Sequence, residues 1–307
     1  MRADQGTEFD EWAQDWQLAL RGRGIAESTL TVYQRSLDQF TAFLGGDPAL
    51  GEITGRDVDA FLADLATRGR SDSTRRVRLM ALRAFFGWVV EEPQSPLAVS
   101  PAGKTKAPVA KLPILTMVSD EDVKAVLATC DARTFIGLRD EAIIRLLAST
   151  GLRRAELVGL GLDDVDKRGE LYVMGKGSKP RVVSFGGHKT PLAVSRYLRA
   201  RARHAGSKDK AFLLSTRPST SLGWRMTGGG IGLMLRRRSK LAGVKQIKPH
   251  ALRHYWAHTS KVAGLSDEDL ERMAGWSSPM MVRRYGRAMA DERAREAHKS
   301  LNLGDKL

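Results

Sequence analysis

The sequence predicts a mainly α-helical protein in two parts. Residues 1–95 read as a bundle of four helices. Residues 114–307 read as a larger α-rich domain with one small antiparallel β-sheet. Three observations predict this. Apolar residues recur three and four apart through the first hundred positions, which lines them along one face of successive helices. Five of the chain's 11 prolines crowd between Pro93 and Pro113, where that periodicity stops. Only ELYVM and RVVSF, between Glu170 and Phe185, read as β-rich runs, and they flank the turn GKGSKP.

In the first part, Phe9, Trp12, Ala13, Trp16 and Leu20 form one helical stripe. Ser28 or Thr29 is suited to cap a second helix, with Leu30, Tyr33, Leu37, Phe40 and Leu44 on one face and Gly45-Gly46 as its stop. Thr54 opens a third, with Val58, Phe61, Leu62 and Leu65 inward. Ser73 opens a fourth, with Val77, Ala81, Ala84, Phe85 and Trp88 inward and Arg75, Arg76, Arg78 and Arg83 on its other faces. Proline fixes φ and removes a donor, so residues 96–113, with Lys104, Lys106 and Lys111 among the prolines, read as an extended interdomain linker.

The second part opens on Ser119–Asp122, a capping-box pattern, ahead of Val123, Val126 and Leu127. A longer helix from about Thr134 to Ser149 is stopped by Gly151, and a short one follows bearing Arg153, Arg154 and Glu156. The hairpin places Lys176 at its tip. The Arg-rich helix from Thr190 to His204 reads as a solvated face. Gly228–Gly232 reads as a loop entering a basic helix with Arg236, Arg237, Arg238 and Lys240. Pro249 suits the first turn of a helix to Val262, on which His250, Arg253 and His254 share one side.

Composition narrows the function. No apolar run reaches 18 residues, and MRADQGTEFDEW has no apolar signal region, so neither a membrane span nor secretion is expected. Cys130 is the only cysteine, which excludes internal disulfides and cysteine zinc sites and suits a reducing cytoplasm. The formal charge is +15, but residues 1–105 carry 12 Lys+Arg against 15 Asp+Glu, and the remainder 38 against 20. A surface so basic over two thirds of the chain favours a polyanion, nucleic acid first.

Chemistry concentrates in Lys248–Arg287. It holds His250, Arg253, Trp276 and Tyr285, the last nine positions after the tryptophan. His250, His254 and His258 could pass for a metal row, but HALRH lacks the glutamate of H-E-x-x-H, and no metal is expected. GKGSK fails the phosphate-loop pattern because Gly follows Lys176, and GGGIG lacks the dinucleotide spacing. Taken singly, Arg153 and Glu156 make an ordinary i,i+3 ion pair, Trp276 a core anchor and Tyr285 an ordinary tyrosine.

Taken together, TGLRRAELVGL (Thr150–Leu160), the GKGSK tip, HALRH, GWSS and the spaced Tyr285 resemble the tyrosine recombinase or phage integrase family, in the family's order and over the whole chain. The resemblance implies an N-terminal core-binding, SAM-like domain and a C-terminal catalytic domain. It implies a site-specific DNA recombinase, a phage or mobile-element integrase, that works through a 3′-phosphotyrosyl intermediate and a Holliday junction. An Xer-type dimer-resolving recombinase is the alternative, and a non-cleaving DNA-binding regulator the reading from another class. Tyr285 becomes the nucleophile, Arg153 and Arg253 the two arginines of the pocket, Lys176 the hairpin lysine and His250 the first residue of the H-x-x-R motif. Glu156 supports Arg153, and His254 accompanies Arg253. Trp276 stands where many members have His and some, such as Cre, have Trp.

The implied partners are double-stranded DNA core or attachment sites, three further copies of the chain in a homotetramer on DNA, and an accessory directionality factor. No cofactor and no membrane are implied. Arg75, Arg76, Arg78, Arg83, Arg236, Arg237, Arg238 and Lys240 are the DNA-binding candidates. The first apolar stripe starts at Phe9, so an arm-binding module ahead of it is not expected, and a helix within residues 286–307 is expected to reach a neighbouring protomer.

The residue types suit the chemistry. Charge concentrates on the nonbridging phosphate oxygens during attack, and guanidinium forks bind such oxygens in pairs where lysine cannot. A phenol, with its ordinary pKa near 10, needs a base such as His250 and a cationic pocket. The leaving 5′-oxygen needs a proton, for which Lys176 is placed. Trp276 offers only an N–H donor.

Overall fold

The structure is a computed structural model that describes residues 8–46, 48–109, 117–166, 168–175, 179–276, 282 and 298–301. It divides into two units, Met1–Ile114 and Leu115–Leu307.

The first unit is built on α1 (Glu8–Gly22), α2 (Glu27–Phe43), α3 (Gly55–Thr67) and α4 (Asp72–Glu91). Its core is aromatic. Phe9 meets Phe85 with ring centroids 5.1 Å apart, Trp16 stacks on Tyr33 at 5.1 Å, and Phe40 lies edge-on to Phe61 at 5.3 Å. Rings buried as fully as those of Phe9, Trp16, Phe40, Phe61 and Phe85 each stabilise by about 1.5–3 kcal/mol. Asp57 caps α3 by accepting the Thr54 N–H at 2.8 Å and its hydroxyl at 2.7 Å.

Two expectations for α4 fail. It starts two positions early, at Asp72, because the Ser71 hydroxyl accepts the Thr74 N–H at 3.2 Å. Val77 is 44% exposed, because Arg78 takes the inward position and donates to Gln39 Oε1 at 2.8 Å and Ser36 Oγ at 3.0 Å. The proline-rich stretch begins against this unit. Leu97 and Ala102 are buried in its core, and Arg83 donates to the carbonyls of Ala102 at 3.2 Å and Thr105 at 2.5 Å. Arg78 and Arg83 are therefore internal ties, not a phosphate-facing row. Arg75 is paired with Asp72, which leaves Arg76 as the exposed member of that set.

The second unit is organised around α6 (Phe135–Thr150), whose Ala142, Ile143, Ile144, Leu146 and Leu147 are almost fully buried. Around it lie α5 (Asp120–Ala128), α7 (Arg154–Gly159), α8 (Lys189–Arg201), α9 (Gly228–Leu241), α10 (Pro249–Val262) and α11 (Asp267–Ala274). Serine and threonine hydroxyls start four of them. Ser119, Thr134, Thr227 and Ser266 each accept an N–H from the first turn, at 3.0–3.1 Å. The expected hairpin is present as β1 (Glu170–Met174) antiparallel to β2 (Pro180–Ser184), with Tyr172 opposite Val182. A second antiparallel pair, β3 (Leu214–Ser219) with β4 (Gly223–Arg225), has no counterpart in the sequence prediction.

The expected glycine loop is instead the first turn of α9. Thr227 caps it, and a Cβ on Gly228 would come within 2.9 Å of Arg154 Nε. Glycine there lets α9 approach α7, and that approach outweighs its poor helix propensity. Behind α9, Asp140 is fully buried on α6 and accepts from Arg139 at 2.9 Å, Arg238 at 2.8 Å and Arg237 at 3.1 Å. No helix among the described residues is long and apolar enough to cross a membrane.

Candidate active site

Three arginines from three elements meet at the end of one helix. The helix is α11, closed by Gly275 in the left-handed conformation at φ +62°. The last carbonyls of a helix have no partner within it and carry its negative end. Here Arg181 Nε from β2 donates to the Met273 carbonyl at 3.0 Å, Arg253 Nη2 from α10 to Ala274 at 2.7 Å, and Arg153 Nη2 to Gly275 at 2.8 Å.

Arg253 also closes α6. Its Nη1 donates at 2.5 Å to the carbonyl of Gly151, the left-handed stop of that helix. A Cβ on Gly151 would stand 2.0 Å from Trp256 Cε3, so glycine is what lets α10 lie against the end of α6. The Trp276 ring lies under the Arg253 guanidinium, 5.3 Å from its carbon. Trp276 thus packs against a pocket arginine as well as serving the small core of Trp256, Leu270 and Ala274.

Glu156 organises the other arginine. One oxygen takes the Arg153 backbone N–H at 2.8 Å and Arg181 Nη2 at 2.8 Å; the other takes Arg153 Nη1 at 2.8 Å and Arg181 Nη1 at 3.0 Å. The local i,i+3 pair read from the sequence is therefore two members of a trio. Burial would raise the Glu156 carboxyl, but the hydrogen bonds from Arg181 and Arg153 outweigh it and hold the group below its ordinary value. With the folded value depressed, the stabilisation is complete above the ordinary value of 4.5 and lost as pH falls through it and then through the folded value. Urea titrations should show Glu156→Gln less stable than wild type at pH 7, with the gap narrowing toward pH 4. A gap constant with pH would show that the carboxylate charge is not what stabilises.

Arg153 and Arg253 border a cleft of about 840 Å³ that Arg154, Arg236, Lys248 and His250 also line, with no carboxylate among its lining residues. His250 and His254 are neighbours on α10, their rings edge-on at 4.3 Å. Gly229 and Gly232, together with Leu233 and Arg236, form the α9 wall, and the two glycines leave space between those side chains. Such a site suits a phosphate flanked by DNA backbone.

Of the basic set on α9, Arg236 lines the cleft and Lys240 is exposed, but Arg238 is buried on Asp140 and on the Thr129 carbonyl and is a correction to the DNA-binding expectation. Arg237 is exposed and also paired with Asp140. Arg154 and Lys248 line the cleft and Arg181 holds Glu156, and the sequence reading gave none of the three a role. Lys176, Tyr285 and the tail expected beyond it lie outside the described residues, except 298–301, of which 298–300 are helical.

Residues 116–292 match the phage integrase family, and residues 12–95 match the N-terminal SAM-like domain of phage integrases. The chain belongs to the phage integrase family of tyrosine recombinases. It is 34% identical over 242 residues to tyrosine recombinase XerC of Xylella fastidiosa, covering 76% of this chain and 77% of that protein. To the XerC of Myxococcus xanthus it is 31% identical over 272 residues, with 86% and 88% covered. Among solved structures, XerH bound to a palindromic difH substrate superposes with a TM-score of 0.70 at 20% identity, covering 88% of this chain and 78% of that one. A lambda integrase tetramer bound to a Holliday junction gives 0.68 at 18%, with 91% and 80% covered. The recombinase is thus an enzyme that cleaves and rejoins DNA strands, with DNA as its partner, and the two structural likenesses show the fold.

Proposed function

We propose that the chain is an Xer-type site-specific recombinase that exchanges strands at short DNA core sites through a tyrosine-linked intermediate. The observation that carries this is similarity to XerC proteins at 31–34% identity over 76–86% of the chain, together with a carboxylate-free cleft holding both family arginines. In this reading the Tyr285 oxygen attacks the scissile phosphorus and the bond to the 5′-oxygen breaks. His250 takes the phenolic proton and Lys176 delivers one to the leaving 5′-oxygen. Arg153 and Arg253 hold the nonbridging oxygens. The product is a 3′-phosphotyrosyl link and a free 5′-hydroxyl, and the hydroxyl of a second strand reverses the step. The phosphoester energy is retained, so the cycle needs no nucleotide hydrolysis. Four protomers on two sites would carry the exchange, with or without an accessory directionality factor.

A phage or mobile-element integrase is the second reading. The match of residues 116–292 to the phage integrase family supports it.

A duplex nicked beside the core site, so that the cleaved fragment diffuses away, tests the proposal. The wild-type protein is expected to form an SDS-resistant adduct that maps to the peptide bearing Tyr285, leaves a 5′-hydroxyl on the DNA and survives chelator. An adduct on another residue, or none on any core site, would sink the assignment. Sequencing the DNA trapped from fragments of the source genome separates the readings. Recovery of one chromosomal locus supports the Xer role, and recovery of the ends of an inserted element supports the integrase.

A further inference from the structure

Arg181 takes no part in the proposed chemistry, yet its guanidinium joins Glu156 of α7, the helix that borders the cleft, to the end of α11. Its two Nη groups grip both oxygens of Glu156 at 3.0 and 2.8 Å, and its Nε holds the Met273 carbonyl at 3.0 Å. The side chain is 12% exposed, against 5% for Glu156. It fills the space a Cβ on Gly275 would need, with Nη1, Cζ and Nε all within 3.1–3.3 Å of that position.

We propose that Arg181 is a positioning residue for strand cleavage, setting Arg153 through Glu156 and fixing β2 to the end of α11. The inference rests on the reading that Arg153 clamps the scissile phosphate. Two physical consequences follow from the geometry. Glu156 carries one negative charge and Arg153 one positive, so the pair alone offers the cleft no net charge. Arg181 supplies a second cation to the same carboxylate, so Glu156 does not draw on Arg153 alone. Without Arg181 the carboxylate would draw on Arg153 alone and pull that fork back from the phosphate. The Arg153 fork is shared between Glu156 and the Gly275 carbonyl, so a shift of either moves it. The same strand leads, five positions upstream, to Lys176, so one residue ties the hairpin to the arginine pocket.

Lysine cannot replace this fork, since three acceptors in fixed directions need a planar donor set. The test follows adduct formation on the nicked duplex at saturating protein, with DNA affinity measured separately. Arg181→Ala is expected to slow cleavage about 10²-fold with affinity unchanged, as misplacement of a binding group does. Arg181→Lys is expected to fall between the two, and it carries the test if the alanine protein does not fold. Combined with Glu156→Gln, either change should add little further slowing, because both act on Arg153 through one carboxylate.

Three results would overturn the proposal: wild-type cleavage by both Arg181 variants, affinity falling in parallel with rate, or fully additive losses with Glu156→Gln. Absence of any adduct with the wild-type protein would instead overturn the reading of the site on which the proposal stands.

Discussion

Replacing Arg253 with alanine is expected to slow covalent capture of DNA about 10³-fold, on the order of 4 kcal/mol of transition-state stabilisation. The size follows from where the charge sits. Arg253 is 2% exposed and lines the cleft, so its field is weakly screened by water. Its position is fixed by two helix ends, through the carbonyls of Gly151 and Ala274, and by the Trp276 ring. A cation held this way needs no rearrangement as charge develops on a phosphate oxygen. Lysine at 253 restores charge but not the fork. It cannot span both carbonyls and still face the cleft, so Arg253→Lys should recover only part of the rate. The alanine protein also leaves two buried carbonyls without a donor, at about 1–3 kcal/mol each, so thermal unfolding must be followed alongside. The measurement is the single-turnover rate at saturating protein below the melting point of each variant. An Arg253→Lys protein that cleaves like wild type would show that the fork has no role in the step.

What the sequence made legible was mostly local. Thr54, Ser119 and Thr134 act within three residues of themselves, and the expected helix starts are found there. Gly151 stops α6 because a left-handed residue is a one-position property. The same SDED pattern that announced α5 recurs at Ser266–Asp269 and caps α11, a signal present but unused. The hairpin was legible from two β-rich runs flanking a glycine-bearing turn, whereas β3, LSTRPS, is polar and β4, GWR, is only three residues long.

Pairings across long separations were not legible. Arg181 meets Glu156 across 25 positions and Met273 across 92, and nothing in RVVSF says which groups that arginine meets. Basic runs misled for the same reason. Arg78 and Arg238 sit among exposed cations, and only the placement of Ser36, Gln39 and Asp140 turns them inward. The candidate site itself was half legible. Arg153, His250 and Arg253 were found through motif spacing, and the structure gathers them at one cleft. That the ends of α6 and α11 hold the arginines could come only from packing.

Removing the Asp140 carboxylate is expected to lower stability more than any surface change in this chain. Asp140→Ala should cost about 3–5 kcal/mol, the usual price of leaving buried charges without their partner. Arg139 and Arg238 are 5% and 7% exposed, and both depend on this one carboxylate. For a unit of roughly 150–250 residues, each kcal/mol moves the melting temperature by about 2–4 °C, so a fall of roughly 10 °C is expected. Asp140→Asn separates charge from shape. It keeps two polar atoms in place but accepts at one, and it should lose most of the same stability. Substituting all three residues with apolar ones would not be neutral here, as it is for some buried ion pairs. Arg139 also donates to the Leu214 carbonyl and Arg238 to the Thr129 carbonyl, and both carbonyls would be orphaned. The consequence for activity differs from that of Arg253. Asp140 holds α9, whose Arg236 and glycine face form a wall of the cleft, so the folded fraction of Asp140→Asn should bind DNA more weakly while retaining the cleavage rate once bound. Calorimetric melting and a saturating single-turnover assay read the two effects independently. A variant that melts with wild type would show that Arg139 and Arg238 find other partners. One that binds normally but cleaves slowly would place the α9 wall in the chemical step.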